Sequence, residues 1–223
     1  MLDDAHLALM PSRALVAELH ELARQDPRIS ALAHARPGTP DPAALVTLTN
    51  DAGETVFQMV EVPVPGVAGR LYVGQLPGRA SPLAGELDGL IAFGIRQVFG
   101  LLPAIDLADL YRVPTYVEDA RARFGERFTL LDVVDYEVPP EDAAFEAALG
   151  AAARALIAGD RVYVHCGAGC GRAGVFVSCL LGLHGVEAIE AIERFRAIRG
   201  CGPETPEQVA YVVRQAGRVL KGA

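Results

Sequence analysis

The chain reads as an α/β protein: a central, mostly parallel sheet flanked by helices on both faces, with an N-terminal helical and hairpin extension. Three observations predict this. From Arg96 onward, short apolar runs alternate with longer helical ones, the pattern of a largely parallel sheet covered on both sides. Of 223 residues, 51% are apolar and 22% charged, which supplies a sizeable core and excludes a disordered or collagen-like chain. A glycine-dense stretch, His165-Cys-Gly-Ala-Gly-Cys-Gly-Arg172, joins a short apolar strand to a helical run.

The elements follow in order. Residues 1–42 read as a helical extension, with Leu15, Val16, Leu19 and Leu22 at helical spacing and a breaker cluster at Pro37–Pro42. Residues 43–223 form the main domain. It opens with two β-rich runs, Leu45–Leu48 and Val56–Val62, around Asn50-Asp-Ala-Gly53, a hairpin signal. Arg70–Val73 is a further strand. Ser81 as N-cap and Pro82 at the first helical position open a helix with Leu83, Leu87, Leu90 and Ile91 on one face. Then come strand Arg96–Leu102, helix Thr115–Phe124, strand Phe128–Val134 and the Ala-rich helix Glu141–Ala158. Arg161–His165 is a buried-type strand, followed by helices Arg172–Leu183 and Val186–Arg199. Thr205-Pro-Glu-Gln208 is a capping box that starts a last helix.

Charge and cysteine usage narrow the function. Twenty Lys and Arg against 28 Asp and Glu leave a net charge of −8, which disfavours a nucleic-acid partner held by a broad basic face. An anion bound here has to be gripped locally, against the global sign. The longest apolar run, Ala173–Leu183, is short of the ~18–20 residues of a membrane helix. The start, Met-Leu-Asp-Asp, is acidic where a secretory signal needs a basic region. Four cysteines, Cys166, Cys170, Cys179 and Cys201, are too few for a disulfide scaffold, so a reducing cytoplasm with free thiols is the expectation.

The stretch 165–172 carries the chemistry. Gly167, Gly169 and Gly171 let successive amides turn inward, because glycine tolerates backbone angles that other residues avoid. With Ala168 and Cys170 they form a loop at a helix N-terminus, a site for a tetrahedral oxyanion. Arg172 adds a forked guanidinium that holds two phosphate oxygens at once. The same field favours a thiolate at Cys166, a sulfur nucleophile beside a bound phosphate. Backbone donors and Arg172 supply the charge stabilisation, so no metal or cofactor is called for. Given this composition, His-Cys-x-x-Gly-x-x-Arg arises by chance with probability on the order of 0.001, which sets aside a turn with an inert buried cysteine. A zinc site on His165, Cys166 and Cys170 lacks a fourth ligand.

His165 to Arg172, a cysteine with five residues before an arginine, resembles the signature loop of the cysteine-dependent protein tyrosine and dual-specificity phosphatases. Leu71–Gly78, Leu90–Val98, Tyr111–Pro114 and Arg196–Gly200 are similar to segments of the kinase-associated phosphatase branch, over roughly residues 68–215. The resemblance implies a phosphoprotein substrate, passage through a phosphocysteine, and a loop that takes phosphate, sulfate or vanadate. It also implies the general acid: the segment Leu131–Pro140 puts that position on Asp135, with Glu137 and Asp142 as rivals. His165 is implied as a support of the loop rather than a base. Gln208 resembles a glutamine that orients the hydrolytic water, and equally fits its place in the capping box. A monomer working in the cytoplasm, free of nucleic acid and membrane, completes the expectation.

Two residues depart from the family pattern. Ala173 stands where a Ser or Thr hydroxyl usually helps the sulfur leave, so slow hydrolysis of the intermediate is expected, and a phosphate-binding module with little turnover is the alternative. Cys170, four residues after Cys166, is expected either to fill the loop or to act as a resolving thiol for Cys166. A rhodanese-type sulfurtransferase loop commonly holds four residues between Cys and Arg, one fewer than here.

Overall fold

A computed structural model of the chain describes residues 4–50, 52–140 and 143–222, the side chains of 218–222 excepted. Its helices are α1 (Asp4–Ala8), α2 (Arg13–Gln25), α3 (Pro27–Ala33), α4 (Leu83–Ala92), α5 (Asp106–Asp109), α6 (Tyr116–Phe124), α7 (Ala143–Ile157), α8 (Gly171–Leu183), α9 (Ala188–Arg199) and α10 (Pro206–Gly222). The strands are β1 (Leu45–Thr49), β2 (Thr55–Val62), β3 (Arg70–Gly74), β4 (Ile95–Leu101), β5 (Phe128–Leu131) and β6 (Arg161–His165). Their order in one sheet is β1-β2-β3-β6-β4-β5. The first two pairings are antiparallel, and β3–β6, β6–β4 and β4–β5 are parallel. The α/β prediction, its parallel centre and its N-terminal hairpin are all present.

Strand periodicity places the two cores. Side chains alternate across a pleat, and β6 sends Val162 and Val164 to one face and Tyr163 to the other. The first face is covered by residues of α2, α3 and α7 to α10, among them Leu19, Ile29, Leu156, Phe176, Ile192 and Tyr211, all buried. The second is covered by α4 and α6 through Leu87, Leu90, Tyr116 and Ala120. Burying apolar surface on both sides leaves β6 enclosed from Val162 to His165, with its carboxyl end opening where doubly covered sheets bind ligands. The N-terminal helices share this core: Leu15, Leu19 and Ile29 are 2%, 0% and 0% exposed. No helix among the described residues is long and apolar enough to cross a membrane.

Three local readings are corrected. Helix α4 starts at Leu83, with Pro82 at the N-cap and no side-chain cap bond, so Ser81 does not cap it. Strand β5 stops at Leu131 rather than Val134, because the Val133 carbonyl is taken by Arg172 Nη1 at 2.9 Å instead of by a neighbouring strand. The capping box is half formed: Thr205 Oγ1 accepts from Gln208 N at 3.1 Å, but the Gln208 side chain reaches Glu204 N at 2.8 Å. Glu141, the expected start of α7, lies outside the described residues.

Candidate active site

The loop 166–170 leaves the end of β6 and runs into α8. Sterics fix its glycines. Gly169 has φ +77°, and a Cβ there would sit 2.2 Å from the Gly74 carbonyl oxygen; both facts demand glycine. A Cβ on Gly167 would meet the Tyr111 hydroxyl at 2.6 Å, and one on Gly171 would meet Glu204 Oε2 at 2.5 Å. This path brings the Gly169 amide onto Cys166 Sγ at 3.2 Å. An amide donor and the N-terminus of the 13-residue helix α8 thus both act on the buried sulfur.

Arg172, on the first turn of α8, is 2% exposed. Its Nη1 is tied to the Val133 carbonyl, and its Nη2 donates to the Tyr111 hydroxyl at 2.8 Å and reaches Asp135 Oδ1 at 2.8 Å. Burial opposes its charge, but Cys166, Tyr111 and Asp135 outweigh that and hold its pKa above the ordinary guanidinium value. Its Nε is buried with no hydrogen-bond partner among the described residues. A cavity of about 290 Å³ joins Cys166, Gly167, Ala168, Gly171, Arg172 and Asp135 with Arg79, Tyr111, Tyr136 and Glu204. Leu110 and Tyr136, each 60% exposed, stand at its mouth.

The predicted site residues therefore meet, with exceptions. Cys166, Arg172 and Asp135 share one cleft with three of the loop residues between them. Glu137 lines a different cavity with Val16 and His20, and burial raises its pKa. Asp142 lies outside the described residues. His165 is fully buried, hydrogen-bonded to the Tyr116 hydroxyl and stacked on Tyr163. Its Nδ1 lies 3.3 Å from the Cys166 carbonyl. Burial, only partly offset by that contact, lowers its pKa from 6.5 to about 3, so the ring is neutral at physiological pH. Room for it depends on Gly100 of β4, where a Cβ would lie 3.0 Å from Nε2. Gln208 is buried outside the cleft lining, its amide spent on Glu204 N and, at 3.0 Å, on the Glu137 carbonyl.

Cys170 requires a correction. It is disulfide-bonded to Cys201, with Cα atoms 5.4 Å apart, so it is neither a free thiol nor a partner of Cys166, which remains free with Cys179. The expectation of four free thiols fails for a topological reason. Helix α9 returns the chain to the loop, and Gly200 and Gly202, at φ +82° and +66°, fold the corner onto it. A Cβ on Gly202 would lie 2.3 Å from the Cys170 carbonyl oxygen.

Sequence reasoning also missed four neighbours of the loop: Tyr111 and Glu204 in the cleft, Arg79 on the Gly167 carbonyl, and Arg199 behind the loop. Tyr111 and Arg199 fall inside the similar segments, which was their only signal; nothing local marked Arg79 or Glu204. Burial raises the Glu204 pKa, against the opposing pull of the Gly171 amide.

Comparison with known proteins agrees with this geometry. Residues 84–214 match the family described as "PTP-SAK: Swiss Army Knife protein, DSP-PTPase phosphatase domain". Among solved structures, kinase associated phosphatase with its catalytic-site cysteine replaced by serine is similar at TM-score 0.65 and 20% identity, covering 73% of this chain and 95% of that one. Tk-PTP in the active form is similar at TM-score 0.54 and 22% identity, covering 69% and 98%. PTPMT1 is similar at TM-score 0.52 and 22% identity, covering 73% and 99%. At these identities the likeness is one of fold. No curated protein matches the chain. The family match takes in more than half of the sequence and contains the whole loop from Cys166 to Arg172, and on that ground the chain belongs to the Swiss Army Knife branch of DSP-PTPase phosphatase domains.

Proposed function

We propose that the protein is a cysteine-dependent phosphoric monoester hydrolase that dephosphorylates phosphoproteins, on phosphotyrosine and also phosphoserine or phosphothreonine, through a phosphocysteine intermediate. One observation carries the reading: Cys166 Sγ sits under the Gly169 amide in the same cleft as Arg172, whose buried Nε has no hydrogen-bond partner among the described residues. A phosphate in the loop would take that Nε and the inward amides.

The steps follow from this placement. The Cys166 thiolate attacks phosphorus, the P–O bond to the substrate breaks, and Asp135 gives its proton to the leaving oxygen. Water then attacks the phosphocysteine, the P–S bond breaks, and Asp135 takes the proton back. The amides and Arg172 stabilise the charge on the equatorial oxygens. Asp135 rests on Arg172, and a phosphate held by Arg172 would turn it toward the leaving group. The exposed rings and side chains of Tyr136 and Leu110 at the mouth suit an aryl phosphate. The protein is read as a monomer acting in the cytoplasm, without cofactor or metal.

Single-turnover reaction with p-nitrophenyl phosphate and with a phosphotyrosine peptide tests the reading. A burst of product stoichiometric with enzyme, abolished in Cys166→Ser, is expected. A second reading, a phosphate-binding module with little turnover, is favoured by Ala173, which stands where similar phosphatases usually carry a Ser or Thr hydroxyl. Tungstate binding without any burst would select it over the enzyme.

A further inference from the structure

A loop that turns its amides inward must turn its carbonyls outward, and each of those needs a donor. Here every carbonyl in the run has one. That of Cys166 faces His165 Nδ1 at 3.3 Å. The Gly167 carbonyl accepts from Leu76 N at 3.2 Å and Arg79 Nη1 at 2.9 Å. Those of Ala168 and Gly169 both go to Arg199, through Nη2 at 2.8 Å and Nε at 3.1 Å. The Cys170 carbonyl receives Gly174 N at 2.7 Å. One guanidinium, on the last residue of α9, thus spans two consecutive peptide units from behind. Two residues on, Cys201 is bonded to Cys170. Neither Arg199 nor Cys201 lines the cleft; Arg199 opens instead on a separate cavity with Gln58, Met59 and Gln75.

We propose that Arg199 is a positioning residue for the phosphate loop and that the Cys170–Cys201 disulfide locks it in place, so that a dithiol reductant weakens anion binding. The inference rests on the phosphatase reading above. A guanidinium holding two adjacent carbonyls aligns both peptide dipoles with their N–H ends toward the cleft. Its charge sits on the far side of those peptides, behind the amides that face Cys166. Lysine, a point donor, cannot bridge two carbonyls in a fixed fork. Without the fork, a peptide free to flip would present a carbonyl oxygen to the bound phosphate and repel it.

The disulfide keeps the two segments together while the loop exchanges ligands. Its reduction is an ordinary exchange: a dithiol attacks one sulfur, a mixed disulfide forms, and the second thiol closes the ring. The reductant leaves as a cyclic disulfide, having given two electrons and two protons to Cys170 and Cys201. The outcome inverts the usual behaviour of a catalytic thiol, which reductant only protects.

The test uses the full chain, air-oxidised and then either left so or reduced with dithiothreitol and desalted. Peptide mapping by mass spectrometry records which cysteines are linked. Tungstate affinity by calorimetry and the pH midpoint of Cys166 alkylation by iodoacetamide are measured for wild type, Arg199→Gln, Arg199→Lys and Cys201→Ser. Arg199→Gln is expected to weaken tungstate about tenfold, the scale of losing hydrogen bonds from a charged donor, and to raise the alkylation midpoint. Arg199→Lys recovers only part of this. Reduced wild type and Cys201→Ser should agree with each other, both weaker than oxidised wild type, with no further effect of reductant on Cys201→Ser. Melting curves identify a variant that fails to fold, in which case Arg199→Lys and reduced wild type give the answer. Unchanged affinity and midpoint across all folded forms, or free Cys170 and Cys201 in the oxidised protein, would overturn the proposal while leaving the phosphatase reading intact. Wild type that binds no tungstate in either redox state overturns both.

Discussion

The loop 166–172 and the segment 132–140 border the same cleft, and they are held in opposite ways. The loop is fixed from several sides: a glycine, Gly169, that admits no Cβ, carbonyls capped by two arginines, and a disulfide at its end. The segment carrying Asp135 is held at the Val133 carbonyl by Arg172 and at the Glu137 carbonyl by Gln208. Between these ties, Asp135 is 46% exposed in its side chain and Tyr136 adopts φ +64°. The part that would receive charge without reorganising in the proposed reaction is preformed. The part that would deliver a proton in the proposed reaction is tied at both ends and held more loosely between, by the ion pair of a half-exposed Asp135 with Arg172 and a 3.5 Å contact of Thr205 Oγ1 with the Tyr136 carbonyl.

That contrast is breakable, and the largest effect should come from the loose side. Asp135→Ala removes the ion pair to Arg172 but none of the ties on the loop's carbonyls, so tungstate binding should persist while turnover of a phosphotyrosine peptide falls by about 10²–10⁴, the usual worth of a positioned general acid. A fall no larger than that of Glu137→Ala would remove Asp135 from the role. On the rigid side, Gly169→Ala forces both a positive φ and a contact with the Gly74 carbonyl. It should cost about 3 kcal/mol of stability and with it anion binding, which a denaturant titration alongside tungstate calorimetry would record.

His165 sharpens the comparison because it supports the rigid side while staying uncharged. Its pKa is lowered from 6.5 to about 3, so protonation favours the unfolded chain. The stability it protects is whole above pH 6.5 and is lost as pH falls from there toward 3. Between neutrality and pH 5 the loss should be about 2 kcal/mol. His165→Gln should be less stable at pH 7.5 yet show a shallower decline in acid. An equally steep decline in the variant would place the titrating group elsewhere.

How much of this could be read from the sequence follows the same division. Strand and helix periodicity is local, so the sheet, its parallel centre and the turn from β6 into α8 were legible, and so were Cys166 and Arg172 at their fixed spacing. Asp135 was legible only through resemblance, since a carboxylate in a loop has many local meanings. What was not legible depends on packing between distant segments. Arg199 and Cys201 reach the loop only because α9 folds back along α8, and the disulfide closes a separation of 31 residues. Gln208 carries a correct local cap signal, but its side chain is spent on the Glu137 carbonyl, a partner 71 residues away. Ser81 failed as a cap because Pro82 occupies the N-cap position.

The smallest predicted effect bears on the rigid side alone. Ala173 is fully buried on the first turn of α8, directly after Arg172 and three residues past Cys170, the N-cap of the helix. A serine there restores the hydroxyl that similar phosphatases usually carry at this position, free to bond the sulfur or the preceding turn. Toward the sulfur, it would donate to the developing thiolate as the P–S bond breaks. That interaction exists only in the second step, so binding and burst rate should not change. Steady-state turnover should rise several-fold, and the wild type's burst of leaving group should shrink as hydrolysis of the phosphocysteine ceases to limit. Rapid-quench measurement of both phases in wild type and Ala173→Ser decides it. A rise in the first phase instead would mean that the hydroxyl had reorganised the loop rather than assisted the leaving sulfur.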